Sequence, residues 1–263
     1  MANPQKAKDL SRFFKTGKGE YGEGDVFLGI MVPLQRQLAK KYHDLDLKDL
    51  QRLLSSKVHE HRLTSLMILV LKFSKAKEKE QKEIVDFYLK NTKKINNWDL
   101  VDLSAHYILG KYYLKLPQTN VQGINTNTLS GAETSSKRKN HSRILYTDIK
   151  GKFREDGFDK DKKVLYQLAR SKNLWEKRIG VMATFWFIKN NQFTDSLKIA
   201  EILLKDKHDL IHKAVGWMLR EVGNRDLKTE EEFLKKHYKN MPRTMLRYAI
   251  EKFPEPKRQA YLK

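Results

Sequence analysis

Trp98 and Asp102 lie four residues apart in Asn97-Trp98-Asp99-Leu100-Val101-Asp102, so a helix would set an indole and a carboxylate on one face, within reach of one ligand. The acid stands out against its setting. The 263-residue chain carries 53 Lys+Arg against 32 Asp+Glu, a net charge of +21. In a chain that attracts anions, a carboxylate kept beside an indole points to local chemistry with a cation.

The charge itself favours a polyanionic partner, nucleic acid first and an anionic membrane surface second. With no cysteine the chain has no disulfide, thiolate nucleophile or Cys-ligated metal, which fits a reducing compartment. The start, Met1-Ala2-Asn3-Pro4-Gln5-Lys6, lacks the apolar stretch of a signal peptide, and the apolar runs near Leu66–Leu71 and Val181–Ile188 are too short to span a bilayer. The expectation is a soluble, cytoplasmic monomer. A hydrophobic content of 40% supports one domain over residues 1–263.

Helices must position the pair. Apolar residues recur at helical spacing in Leu47-Leu50-Leu53-Leu54, Leu63-Leu66-Met67-Val70 and Ile199-Ile202-Leu203, and alternating strand-like stretches are absent, so the predicted class is all-α. Similar phrases open several helices: Lys57-Val58-His59-Glu60-His61-Arg62, Lys172 to Arg178, Lys207 to Lys213 and Met241 to Arg247. Aligned, they place Arg178, Lys213 and Arg247 at intervals of about 35 residues, near the lower edge of two-helix HEAT or armadillo repeats. A solenoid with a curved binding face is expected. Arg62 joins the same phase, and Asp102 occupies it in the intervening repeat, so the alignment predicts a basic ladder interrupted by one acid. A solvated, non-functional helix face explains any single one of these charges as well.

Between Pro117 and Asp161 the pattern lapses into a polar Asn/Thr/Ser-rich stretch followed by Lys137-Arg138-Lys139-Asn140-His141-Ser142-Arg143. Residues 118–160 are read as a flexible insertion, with added phosphate contacts as a secondary role.

Other motifs carry less. Gly17-Lys18-Gly19-Glu20-Tyr21-Gly22 has the letters of a nucleotide fingerprint without the strand–turn–helix context, so its glycines are assigned to a tight loop. His208 and His212 share a helical face and His59 is near His61, yet neither pair matches a metal motif or sits beside a suitable carboxylate set in sequence; no metal and no cofactor are expected. Trp186, in Ala183-Thr184-Phe185-Trp186-Phe187, reads as core. Trp217 is four residues beyond Lys213 on the ladder face; spacing alone leaves packing and ligand contact both open.

Four phrases together resemble the AlkD-type DNA alkylation-repair glycosylases: Phe27-Leu28-Gly29-Ile30, Asn97 to Asp102, Asn173-Leu174-Trp175-Glu176-Lys177-Arg178 and Gly216-Trp217-Met218-Leu219-Arg220-Glu221. Phe13-Phe14-Lys15-Thr16-Gly17-Lys18-Gly19 is similar to the N-terminal region of many relatives. The resemblance implies a right-handed superhelical solenoid of HEAT-like repeats with duplex DNA in its concave face. It implies a monofunctional DNA N-glycosylase that excises purines alkylated at N3 or N7 from duplex DNA and leaves an abasic site. By the same resemblance Asp102, Trp98 and Trp217 are the catalytic residues and Arg178 contacts DNA, with Arg220 in a matching motif; Arg62, Lys213 and Arg247 join the DNA contacts from the ladder. Asn97, where some relatives carry an aromatic, and the insertion depart from the family pattern. The alternative is a non-catalytic HEAT-like module that binds structured nucleic acid or an acidic protein.

Overall fold

The computed structural model describes residues 2–115 and 162–263; the insertion expected at 118–160 lies outside the described residues. Among these residues the fold is all-α, and the one β contact is an isolated parallel bridge between Val26 and Val58. In chain order come α1 (Pro4–Phe13), α2 (Val32–Lys41), α3 (Leu47–Leu54), α4 (His59–Lys75), α5 (Glu78–Lys90) and α6 (Trp98–Ala105). A π turn, His106–Gly110, joins α6 to α7 (Lys111–Leu114). Beyond the undescribed stretch follow α8 (Lys163–Ala169), α9 (Leu174–Ala183), α10 (Phe185–Lys189), α11 (Thr194–Leu203), α12 (Asp209–Gly223), α13 (Leu227–His237), α14 (Arg243–Ala249) and α15 (Glu255–Leu262). No described helix is long and apolar enough to cross a membrane.

Helices α4, α6, α9, α12 and α14 form a series in which each packs on the next, while α3, α8 and α13 cover α4, α9 and α12 respectively. One apolar core runs through that series, with Leu66, Leu100, Val101, Ile179, Val215 and Met245 all buried. Each such side chain contributes about 1.5–3 kcal/mol by leaving water. The packing is close enough that Gly216 has no room for a side chain: a Cβ there would meet the Met245 carbonyl oxygen at 2.4 Å.

Three of the four recurring phrases share a recurring turn. Ser56 Oγ accepts from the Val58 N–H at 3.0 Å, Ser171 Oγ from the Asn173 N–H at 3.0 Å, and Asp206 Oδ1 from the His208 N–H at 2.8 Å. Short polar side chains bond the backbone two residues on, which bends the chain into the next helix. Asn97 and Asn173 then cap α6 and α9, Asn97 Oδ1 accepting from the Trp98 N–H and Asn173 Oδ1 from the Trp175 and Glu176 N–H groups.

These caps set the true register. Counted from the N-caps Val58, Asn97, Asn173, His208 and Pro242, Asp102, Arg178, Lys213 and Arg247 each take the fifth helical position. Arg62 takes the fourth, one residue out of phase, and buried Leu63 stands where the ladder residue would be. Letter similarity aligned the two because both neighbours are basic phrases; the cap decides which way the side chain points.

The Phe27-Leu28-Gly29-Ile30 segment wraps a carboxylate. Glu60 at the start of α4 accepts from the backbone N–H groups of Leu28, Gly29 and Ile30. Gly29 turns with φ +76°, where an L side chain would be strained and would meet the Asn3 carbonyl oxygen at 2.2 Å.

Candidate catalytic cleft

Asp102 and Arg178 meet across α6 and α9. Arg178 donates from Nε to Asp102 Oδ1 at 2.9 Å and from Nη2 to Oδ2 at 2.7 Å, while Nη1 donates to the Leu210 carbonyl at 2.6 Å. The fork therefore ties three successive helices of the series together. The two ends of the pair differ in access: the Asp102 side chain is 19% exposed and that of Arg178 6%. The carboxylate is the solvent-facing end. Burial pushes the Asp102 carboxyl above the ordinary carboxylate range, while the Arg178 guanidinium pulls the other way and favours the ionised form.

Trp98, the first residue of α6, is held from behind by aromatic rings. It stacks on Phe14 at 5.2 Å between centroids and 18°, and Phe13 meets it edge-on at 5.8 Å. Phe14 in turn stacks on Phe27, and Phe27 on His59 at 4.6 Å. His59 is enclosed by acids: Nδ1 is 3.0 Å from Asp25 Oδ2 and Nε2 is 2.8 Å from Asp99 Oδ2, while Arg62 Nη2 donates to Asp25 Oδ1 at 2.6 Å. Burial disfavours the charged ring, but the two carboxylates outweigh it and raise His59 to about 8. Burial also opposes ionisation of Asp25, and its bonds to His59 and Arg62 overcome that and hold it low. The carboxylates that sequence did not place beside His59 come from residues 34 and 40 positions away.

Tyr21 completes this side and was not singled out in the sequence. Its hydroxyl lies against the Trp98 indole N–H and within the field of Lys213, and its ring meets Trp175 edge-on at 6.0 Å. Burial raises its pKa. The signal available was the glycine loop that carries it: Gly19 and Gly24 take positive φ, and a Cβ at Gly22 would strike the Phe14 carbonyl oxygen at 2.3 Å. The loop folds onto the aromatic wall and delivers one tyrosine to it.

Trp217 sits on the other side, half-buried, with its indole N–H donating to Glu221 Oε1 at 3.2 Å and its ring 5.8 Å from that of Phe185. Phe185 meets His106 edge-on at 5.3 Å, and His106 lies one turn beyond Asp102. Two aromatic clusters, each backing one tryptophan, thus flank the Asp102 carboxylate.

The expected ladder is uneven. Arg247 is exposed, and Lys213 is half-buried and paired with Asp209 at 2.7 Å, a bond that raises its pKa. Arg220 pairs with Glu251. Arg62 is 4% exposed and spends its fork on Asp25 and on the carbonyls of Ser56 and Lys57, so it faces no ligand. Arg178 stands behind Asp102 rather than at the surface. Trp186, read as core, is only half-buried: Lys111 lies over its ring at 4.5 Å and Lys189 at 5.4 Å. Its neighbours in sequence, Ala183, Phe187 and Ile188, do point inward, and their apolar letters concealed the one ring that does not.

Chemically, the site offers a carboxylate fixed in orientation, with aromatic surface on both sides and no cluster of metal-ligating side chains among the described residues. It suits a cationic ligand or one that becomes positive.

A family model described as DNA alkylation repair enzyme matches residues 1–123 and 144–253. A solved structure described as a predicted DNA alkylation repair enzyme from Enterococcus faecalis is similar in fold, with a TM-score of 0.62 at 14% identity over 97% of this chain and 98% of that one. AlkD2 from Streptococcus mutans is 17% identical over 95% of this chain and 98% of that one, with a TM-score of 0.49. No match to a curated protein was found.

Proposed function

The chain belongs to the family of DNA alkylation repair enzymes, and from that premise we propose that it is a DNA N-glycosylase that hydrolytically excises purines alkylated at N3 or N7 from duplex DNA, leaving an intact abasic site. The series of packed helices is read as a HEAT-like solenoid whose concave face holds the duplex. The observation that carries the reading is the Asp102–Arg178 pair, its carboxylate the more exposed end, with Trp98 one turn before it on α6 and the His106–Phe185–Trp217 cluster reached one turn after it.

Alkylation at N3 or N7 places positive charge on the purine and makes it a good leaving group. What remains of the barrier is the positive charge that develops on the sugar as the glycosidic bond breaks. A carboxylate oriented before the reaction stabilises that charge without reorganising, and its free lone pairs can hold the attacking water. Arg178 opposes the effect of burial on the acid, favouring its ionised form, and aims it. The indole faces of Trp98 and Trp217 add cation–π attraction of about 0.5–2 kcal/mol each, depending on how far water is excluded. Lys213, Arg220 and Arg247 are assigned to phosphates, where they supply affinity and register rather than chemistry.

The test is release of free base from duplex DNA containing 7-methylguanine. Wild type is expected to release it and Asp102→Asn to lose at least 10²-fold in rate, roughly the value of one preorganised charged group. Because burial raises the Asp102 pKa, release should slow as pH falls through a value above that of an ordinary aspartate. Binding without release by wild type would instead support the non-catalytic nucleic-acid module, and equal release by the variant would remove Asp102 from the chemistry.

A further inference from the structure

Beyond the flanked carboxylate, the helix that carries it continues into a feature with no role in that chemistry. Counted as a plain α-helix, Lys111 would turn away from the line through Trp98, Asp102 and His106. The π turn at His106–Gly110 takes up one extra residue and returns it to that line. Lys111 Nζ then lies 5.2 Å from the Tyr107 centroid and 4.5 Å from that of Trp186, while Lys189 Nζ lies 4.5 Å from Phe185 and 5.4 Å from Trp186. Both ammonium groups are seated around one indole.

Neither lysine pairs with a carboxylate among the described residues, whereas Lys82, Lys162, Lys177, Lys213 and Lys257 all do. Like charges gathered without a counter-ion repel one another, and the cost shows locally: burial, then Lys189 and Lys111, drive neighbouring His106 down to about 4. It stays neutral, so it relieves nothing and adds no third charge. Aromatic faces hold the two cations in place, which lowers the entropy that free lysines lose on meeting a phosphate. Preorganised, uncompensated positive charge is the arrangement an anion completes.

We propose that Lys111 and Lys189, seated on Tyr107, Trp186 and Phe185, form a second phosphate subsite that takes the DNA backbone at the far end of the stripe begun by Trp98. Lys111 lies 13 residues beyond Trp98 along α6 and the π turn, about 20 Å at the α-helical rise, while Lys189 sits on Phe185, the ring behind Trp217, so the subsite would take backbone on the Trp217 side of the carboxylate. The proposal rests on DNA as the ligand and is independent of base excision.

Binding of unmodified duplex, followed by fluorescence anisotropy between 50 and 200 mM salt, tests it without any excision step. Each lysine–phosphate contact adds about 0.9 to the slope of log affinity against log salt. Lys111→Gln with Lys189→Gln is therefore expected to reduce that slope by close to 2 and to shrink the affinity lost across this range by about tenfold. Lys198→Gln with Lys205→Gln removes the same charge from exposed positions elsewhere and is expected to leave the slope alone. Trp186→Leu changes no charge and is expected to lower the slope by unseating both ammonium groups. A wild-type slope in the Lys111/Lys189 variant, or an equal fall in the Lys198/Lys205 control, overturns the subsite; a wild-type slope in Trp186→Leu overturns the seating.

Discussion

Arg178 donates one N–H to each oxygen of Asp102 and a third to the Leu210 carbonyl, which leaves each carboxylate oxygen a lone pair directed elsewhere. On the proposed function, the arginine would act on a ligand through the acid it holds. Arg178→Ala is expected to lower stability by about 3 kcal/mol in urea denaturation, because removing one member of an inward-facing ion pair strands the other. The figure sits at the low end of that range since Asp102 retains some contact with water. A surface phosphate contact would behave otherwise, costing little stability and flattening the salt dependence of DNA binding. The i, i+4 spacing of Trp98 and Asp102 was legible in the sequence because it is local to one helix. The Asp102–Arg178 bond spans 76 residues, and no local pattern announces such a partner.

At the scale of elements, His59 is the joint between the N-terminal segment and α6. It bonds Asp25 from the first and Asp99 from the second, with Arg62 on the far side of Asp25. Its pKa is raised to about 8, so its contribution is fully present below the unfolded histidine value near 6.5 and is lost as pH rises through 8. Chemical denaturation across that window should show a loss of about 2 kcal/mol, estimated from the size of the shift, and His59→Gln should flatten it. The α12–α14 contact makes a second prediction. Gly216→Ala would force a Cβ into the Met245 carbonyl, and the helices must part at a cost of about 1–3 kcal/mol, read as a fall in the denaturation midpoint. That glycine was visible as a letter beside Trp217, but its reason lies on another helix. Tyr21 was hidden for a related cause: loop residues carry no period, so only the glycines around it marked the place.

For the molecule as a whole, the all-α class was legible because helical periodicity repeats through both described stretches. The starts of α4, α9 and α12 were legible too, since a polar residue bonding the backbone two positions on leaves Ser-Lys or Asp-Lys phrases in the sequence. The ladder was only partly so. Composition gives a net charge of +21 but does not say which cations are exposed, and the cap register separates buried Arg62 from exposed Arg247 on that point. In the same salt titration of duplex binding, Arg247→Ala is expected to reduce the slope by about 0.9. Arg62→Ala should leave the slope unchanged and lower stability instead, as its guanidinium holds Asp25 from within the fold.

The π turn at His106–Gly110 also bears on how this chain can change in length. A turn of this kind is an α-helix holding one residue too many, with the surplus absorbed locally so that Tyr112 and Tyr113 still reach the core. Deleting a residue elsewhere in α6 would rotate everything after it by about 100° and pull both tyrosines out of register. Deleting Tyr107 would let the helix close as a regular α-helix with both tyrosines in place. At the border between the Asp102 region and the lysine-bearing end, the chain thus carries a place where one residue can be lost with the register on both sides kept.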